Sequence, residues 1–359
     1  MRPFSVLRTF KSLLANDNGK TLVAILDFSY QHFALGDLLT SQVDAMAIAL
    51  DGGVKFIDVE LMAYPSRPAA RAQGFITPDN YVSYLDNIAP IFDCNPMLRR
   101  LRLVRHISTF NFSLLSYYTN GIAMFPDLKA HLKMPHSYPL GHHRINSFYA
   151  RHGRIPQLVS PRHYRAWAGR FHRTELEGRP LVVINPRQSS LTDYPVVTYR
   201  DAPLASWHAF IDAAAERWPK VMFVMAGGYQ EWEHRLVHRR NVFVPRACGL
   251  TLSHELALMG VANLFMGTSS GFAAFATFTS IPYAILNIEH YFSQYAGIKP
   301  HDRHYPFGKS NQVLTWHKET VEELLSLFEQ LYDEDYPGFG VQTDGATSAS
   351  PAGSAEKTV

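Results

Sequence analysis

Cysteine is almost missing from this chain. In 359 residues only Cys94 and Cys248 occur, and neither sits in a motif. That excludes a disulfide framework and a structural zinc site, and it fits a reducing compartment. Long apolar runs are missing too. No stretch reaches the roughly 18 uninterrupted apolar residues that a transmembrane helix needs. The first residues, MRPFSVLRTFKSLL, lack the continuous apolar core and cleavage site of a signal peptide. Phe4, Leu7, Phe10 and Leu14 stand at helical spacing with Arg2, Arg8 and Lys11 between them. This reads as a surface helix packed on the body or as a weak membrane-surface helix.

Several signatures are also absent. No G-x-G-x-x-G follows a strand, which argues against a nicotinamide or flavin site. Gly308-Lys309-Ser310 lacks the preceding glycine of a P-loop, and no G-x-S-x-G elbow occurs. The one Asp-x-Asp, Asp333-Glu334-Asp335, lies in a C-terminal acidic segment, away from any position where it would hold a diphosphate through a metal. His142-His143 has no carboxylate or thiol at ligand spacing, so no metal site is expected.

What is present is a globular composition, 47% hydrophobic, 13% aromatic and 18% charged, long enough for two domains. A net charge of +3 does not mark a nucleic-acid binder. The charge is uneven, however. Residues 1–180 hold 21 Lys and Arg against 13 Asp and Glu, and the remainder 13 against 18. A basic first half fits recognition of an anionic ligand or lipid surface. The arginine run from Arg144 to Arg173 reads as a solvated face, or as a draw for an anionic lipid carrier.

The apolar pattern predicts strand 21–28, loop 29–37, helix 38–50 stopped by Gly52-Gly53, and strand 54–62. That is the opening of a parallel sheet. A helix follows from Thr77-Pro78 to about Phe92, then a strand at 101–104. Beyond a helix at 161–176 the pattern restarts. Strands are predicted at 181–184, 221–225, 242–244, 264–266, 281–288 and 313–316, with helices at 204–218, 229–239, 251–262, 272–278 and 320–331. The expectation is α/β, with two Rossmann-like doubly wound domains facing a cleft. Residues 1–160 form the first domain, 161–336 the second, and 337–359 a disordered tail.

Ligands of such sheets sit at the carboxyl ends of strands. The strongest candidate is Gly267-Thr268-Ser269-Ser270-Gly271, a small, hydroxyl-rich turn opening a buried helix, where a phosphate would sit. Arg187 follows its strand closely and has the fork to hold a phosphate; alternatively it pairs with Asp193 or Asp201 to stiffen its loop. Gly227-Gly228 lets a ligand approach the backbone, or merely serves a helix-entry turn. Glu255 is placed to hold ribose hydroxyls, or is a solvated first-turn acid on the helix dipole. In the first half His32 and Asp37 are placed as a general base for an acceptor hydroxyl. The plainer readings are a packing histidine and a helix N-cap.

The turn 267–271, the Ala-rich helix after it and Ile281-Pro282 resemble the C-terminal signature of GT-B glycosyltransferases. The likeness is to heptosyltransferase-like and fucosyltransferase-like bacterial enzymes of surface-polysaccharide synthesis. Asn185-Pro186-Arg187 and Tyr199-Arg200-Asp201-Ala202 resemble the start of that family's nucleotide-binding domain, and Gly36-Asp37 its acceptor-side loop. The heptosyltransferase pattern carries an Asp in the turn where this chain has Ser269-Ser270. The resemblance implies an inverting, metal-independent transferase with a nucleotide-diphospho-sugar donor and a glycan or glycolipid acceptor. Arg187, Gly227, Gly228, Glu255, Thr268, Ser269, Ser270 and Gly271 would bind the donor, and His32 or Asp37 would be the base. No cofactor is implied beyond the co-substrate. A cytoplasmic location with peripheral contact to the inner membrane face is expected. The alternatives are a nucleotide-sugar epimerase of the same fold and a non-catalytic nucleotide-binding or assembly module.

Overall fold

A computed structural model describes residues 21–27, 34–62, 81–104, 124–125, 141–188, 198–228, 234–236, 238–288 and 290–340. Ten strands are described: β1 Thr21–Asp27, β2 Phe56–Met62, β3 Leu98–Val104, β4 Met124–Phe125, β5 Leu181–Asn185, β6 Met222–Met225, β7 Val242–Phe243, β8 Leu264–Thr268, β9 Tyr283–Leu286 and β10 Gln312–Leu314. The α-helices among the described residues are α1 Leu35–Asp51, α2 Tyr81–Ile88, α3 His143–His152, α4 Arg162–Thr174, α5 Leu204–Arg217, α6 Leu252–Met259, α7 Gly271–Thr277, α8 His290–Ala296 and α9 Val321–Leu331.

Two sheets result. The first runs β3-β2-β1-β4 and the second β10-β9-β8-β5-β6-β7. Every pairing in both is parallel. Numbered within its own half, the second sheet reads 6-5-4-1-2-3, the doubly wound order, and the first reads 3-2-1-4, the same order cut short. The strand order reverses between β1 and β4 in one sheet and between β5 and β8 in the other.

The strands of the second sheet are apolar on both faces because helices cover both. In β5, Leu181 and Val183 join one hydrophobic cluster, while Val182 and Ile184 join another. This is the two-residue alternation of a strand. One face meets α5 and α9 through Trp207, Phe210, Ile211, Leu324 and Phe328. The other face meets α6 and α7, and its cluster continues without interruption into β1, β2 and α1 of the first half. The halves therefore share a core.

Small residues make that junction. A Cβ on Gly271 would lie 2.6 Å from Leu35 Cδ2, and one on Gly36 would lie 3.5 Å from Ala274 Cβ. The starts of α1 and α7 are thus brought together. A second contact joins α3 to the segment after β9. The His142 N–H donates to Tyr295 O (2.7 Å), and Asn146 Nδ2 donates to Ala296 O (2.9 Å). The His142 ring lies among Phe278, at 5.2 Å, Tyr305 and Phe307. Burial there, with His143 nearby, pushes its pKa down to about 3.

Three differences from the sequence reading have physical causes. Helix α1 starts at Leu35, so Asp37 lies inside its first turn and is not the N-cap. Strand β3 starts at Leu98 because its arginines are paired. Arg99 Nε and Arg100 Nη2 donate to the buried Asp58 carboxylate (2.9 and 2.6 Å), and Arg102 pairs with Glu60. Residues 337–340, expected in the tail, fold back on the body. The Gly340 N–H donates to Gly260 O (2.7 Å), the Phe339 ring lies tilted against Phe275, and Asn263 Nδ2 donates to the carbonyls of Asp333, Glu334 and Tyr336. Residues 341–359 lie outside the described residues, as does most of the helix expected at 229–239.

Candidate functional site

A doubly wound sheet opens a crevice where its strand order reverses, because the connections on either side leave in opposite directions. In the second sheet that place lies between the carboxyl ends of β5 and β8. The loop after β5 carries Arg187, and β8 ends at Thr268. Side chain and backbone lock the two loops together: the Arg187 N–H donates to Thr268 Oγ1 (3.1 Å). The Arg187 guanidinium donates to Asp201 Oδ1 (2.8 Å), with both side chains largely buried. The structural alternative for Arg187 is therefore realised with Asp201; Asp193 lies outside the described residues.

The turn 268–271 divides its tasks. Thr268 is fully buried and its hydroxyl receives the Arg187 N–H. Ser270 is the N-cap of α7, its Oγ accepting the Ala273 N–H (3.3 Å). Gly271 is glycine because Leu35 of the other half leaves no room for a side chain. Ser269 remains: its N–H donates to Leu286 O (3.1 Å), while its hydroxyl has no partner among the described residues. Helix α7 is only seven residues long. Its dipole is correspondingly short.

Glu255 departs from the reading of it as a solvated first-turn acid. It is not solvated but fully buried. Its Oε1 accepts the Gly227 N–H (3.1 Å), and its Oε2 accepts from Arg246 Nε (2.9 Å) and Nη2 (2.8 Å). Gly227 has φ +149°, a conformation that favours glycine. The Gly227-Gly228 turn after β6 is thus held from beneath by a carboxylate.

The first sheet reverses between β1 and β4, and α1 begins beside that point. Asp37 Oδ2 accepts the Ala34 N–H (3.0 Å), closing the first turn. Burial raises its pKa above the ordinary 3.8, against the Ala34 hydrogen bond and the charge of Arg200. Arg200 belongs to the loop after β5, so the acid of one crevice feels the cation of the other. Tyr84 of α2 is near enough that Asp37 adds to the upward push of burial on its phenol. His32 lies outside the described residues.

Asp37, Arg187, Thr268, Ser269, Ser270 and Gly271 gather where the two halves meet, and Gly227 and Gly228 follow the neighbouring strand β6, with Glu255 of α6 bonded to the Gly227 N–H. Sequence reasoning passed over two members. Arg200 was visible next to Asp201, but nothing local relates it to Asp37, which is 163 positions away. Arg246 was expected at the cleft only as the start of the strand-end loop 246–249, with no role of its own. Among the described residues, no three His, Cys, Asp or Glu side chains gather into a metal-binding group.

No known protein-family profile matches the chain, and no curated protein matches it. Solved structures do. The glycosyl transferase family 9 protein of Veillonella parvula aligns at 12% identity over 89% of this chain and 92% of its own, with a TM-score of 0.48. The Escherichia coli ADP-heptose LPS heptosyltransferase II aligns at 11% identity over 87% and 98%, with a TM-score of 0.49. A UDP-GlcNAc 2-epimerase of Neisseria meningitidis, bound to UDP-GlcNAc, aligns at 10% identity over 89% and 96%, with a TM-score of 0.35. Likeness this distant assigns no chemistry, which must come from the residues themselves.

Proposed function

We propose that this chain transfers a sugar from a nucleotide-diphospho-sugar to a hydroxyl of a glycan or glycolipid, with inversion and without a metal ion. One observation carries the reading. Asp37, in the first turn of α1 at the first sheet's point of reversal, stands across the Gly271–Leu35 packing from the hydroxyl turn that opens α7, and the charge of Arg200 reaches it. An acid facing a cation-lined crevice across a domain junction is what a displacement on a phosphorylated sugar requires.

The acceptor oxygen bonds to the anomeric carbon on the face away from the diphosphate. The carbon–oxygen bond to the diphosphate breaks, and the nucleoside diphosphate leaves. The acceptor proton passes to Asp37, which burial makes a stronger base than an ordinary carboxylate. Arg187, Arg200 and the Ser269 hydroxyl offset the charge that grows on the leaving diphosphate. Thr268, through the Arg187 N–H, sets the distance between the two donor loops. Because cations of the chain carry this charge, chelation with EDTA is expected to leave turnover intact. A strict Mn²⁺ requirement would contradict it.

The basic first half suits an acceptor held at an anionic surface, and the chain is expected to work on the cytoplasmic side in peripheral contact with the membrane. The first test is a thermal-shift screen with UDP, GDP, ADP and CMP derivatives. A ligand that binds the native state raises its melting temperature, by about 2.7 kcal/mol of stability at a hundred times Kd. A flat response to every nucleotide would remove the donor half of the reading.

A further inference from the structure

The second sheet offers a bound nucleotide two directions. With its diphosphate between β5 and β8, the nucleoside extends either over β9 and β10 or over β6 and β7. The β9 side is filled. The segment after β9 is taken by the first half, through His142 on Tyr295 O and Asn146 on Ala296 O. At Gly297 a Cβ would lie 2.5 Å from Asn146 Nδ2. The β6 side ends instead in Ala226-Gly227-Gly228, a turn with no side-chain bulk.

Beneath that turn lies an ion pair with one partner fully buried. Glu255 is fully buried, and the Arg246 side chain is one quarter exposed. Burying such a pair costs desolvation that its attraction offsets only with good geometry, and apolar residues of similar volume often do as well for stability. The pair has another consequence. One carboxylate fixes both the Gly227 N–H and the Nε–Nη2 edge of Arg246. That leaves the Nη1 end of the guanidinium without a partner among the described residues, at the carboxyl end of β7 and beside the glycine turn. His254, next on α6, cannot serve the same purpose. Its Nδ1 is bound to the Thr251 N–H (3.0 Å), and its ring is packed edge-on against Tyr164 and Trp167.

We propose that Arg246 is the nucleoside-side contact of the donor, and that Glu255 is the positioning residue that aims it. This rests on the reading of the crevice as a nucleotide-diphosphate site and adds which residue reads the nucleoside. Arg246 only donates hydrogen bonds, so the atoms it selects are acceptors: ribose oxygens, or ring nitrogens and carbonyl oxygens of the base.

The test is calorimetry with two probes, the nucleoside diphosphate that shifts the melting temperature most and inorganic pyrophosphate. In Arg246→Ala, nucleoside diphosphate affinity falls about tenfold or more, as for loss of a charged hydrogen bond. Pyrophosphate affinity stays within about twofold. Arg246→Lys keeps a cation for Glu255 and holds the wild-type melting temperature, yet loses the fork and with it the nucleoside affinity. Glu255→Gln lowers nucleoside diphosphate affinity without changing pyrophosphate affinity. Wild-type nucleoside diphosphate affinity in both Arg246 variants overturns the proposal while leaving the donor site standing. Equal losses for both probes also overturn it, since Arg246 would then serve the phosphates. If the wild-type chain binds neither probe, the donor site itself is absent and the proposal falls with it.

Discussion

The two points of strand reversal share one topology and carry opposite chemistry. The first presents Asp37, closed into the first turn of α1 and pushed toward its neutral form by burial. The second presents Arg187, Arg200 and the hydroxyl turn 268–270, held together by the Arg187 N–H on Thr268. A doubly wound sheet supplies the crevice in both cases and does not decide its content. The contact that lets the two cooperate is the packing of Gly271 on Leu35, which sets the start of one crevice-lining helix on the start of the other.

Removing the acid should break this contrast most sharply. Asp37→Asn keeps the shape and removes the proposed base, so turnover falls about a hundred- to ten-thousandfold. Nucleotide affinity, measured by calorimetry, should not change. Removing the cation acts on the other side. Arg187→Ala lowers nucleoside diphosphate affinity about tenfold or more, as expected for a charged hydrogen bond. It also removes the ion pair of the largely buried Asp201 carboxylate, so the melting temperature drops as well. Asp201→Asn is the control. It breaks the same ion pair but leaves the guanidinium, so it lowers stability and spares affinity.

The junction is the next target. Gly271→Ala places a Cβ where Leu35 stands, and overpacking of this kind costs about 1–3 kcal/mol in denaturant titration. Adding Leu35→Ala to the same chain makes room again and recovers part of that loss.

Most of the scaffold was legible because buried parallel strands are short apolar runs between turns, as in 181–184 and 264–266. Strand β3 was read short at its start, since LRRLRLV is nearly half arginine and looks exposed. Its partners, Asp58 and Glu60, are about 40 positions away on β2. The turn 267–271 was legible as a special place, yet the reason for each residue was not. Ser270 as a cap is local. Thr268 acting on Arg187, and Gly271 yielding to Leu35, depend on contacts across 81 and 236 positions. Glu255 was singled out for a ribose, and the structure turns it inward to Arg246, a residue with no periodicity or motif to mark it. Sequence spacing reports strands and helix starts; it cannot report which of two charged residues on neighbouring loops will face each other.

A different lever on the junction is pH. His142, at the second contact between the halves, has a native pKa of about 3 against an ordinary 6.5, because burial disfavours its charged form. The unfolded chain therefore takes up this proton first as pH falls. Stability is lost from about pH 6.5 downward, until the native pKa near 3 is passed. Asp44 works in the other direction: its native pKa is raised to about 6 by burial, so its protonation below that value favours the native state. His142→Phe should flatten the fall in melting temperature between pH 6.5 and 4 relative to wild type, leaving the Asp44 contribution exposed. An unchanged profile would show that His142 does not couple the junction to protons.

The division of labour between the two crevices is tested most directly by one calorimetric comparison. A nucleoside diphosphate is titrated into the wild-type chain, Asp37→Asn and Arg187→Ala under identical conditions. Asp37→Asn binding like wild type, with Arg187→Ala weaker by about tenfold or more, is the predicted result. Loss of binding in Asp37→Asn with none in Arg187→Ala would contradict it, and would place the donor in the first half.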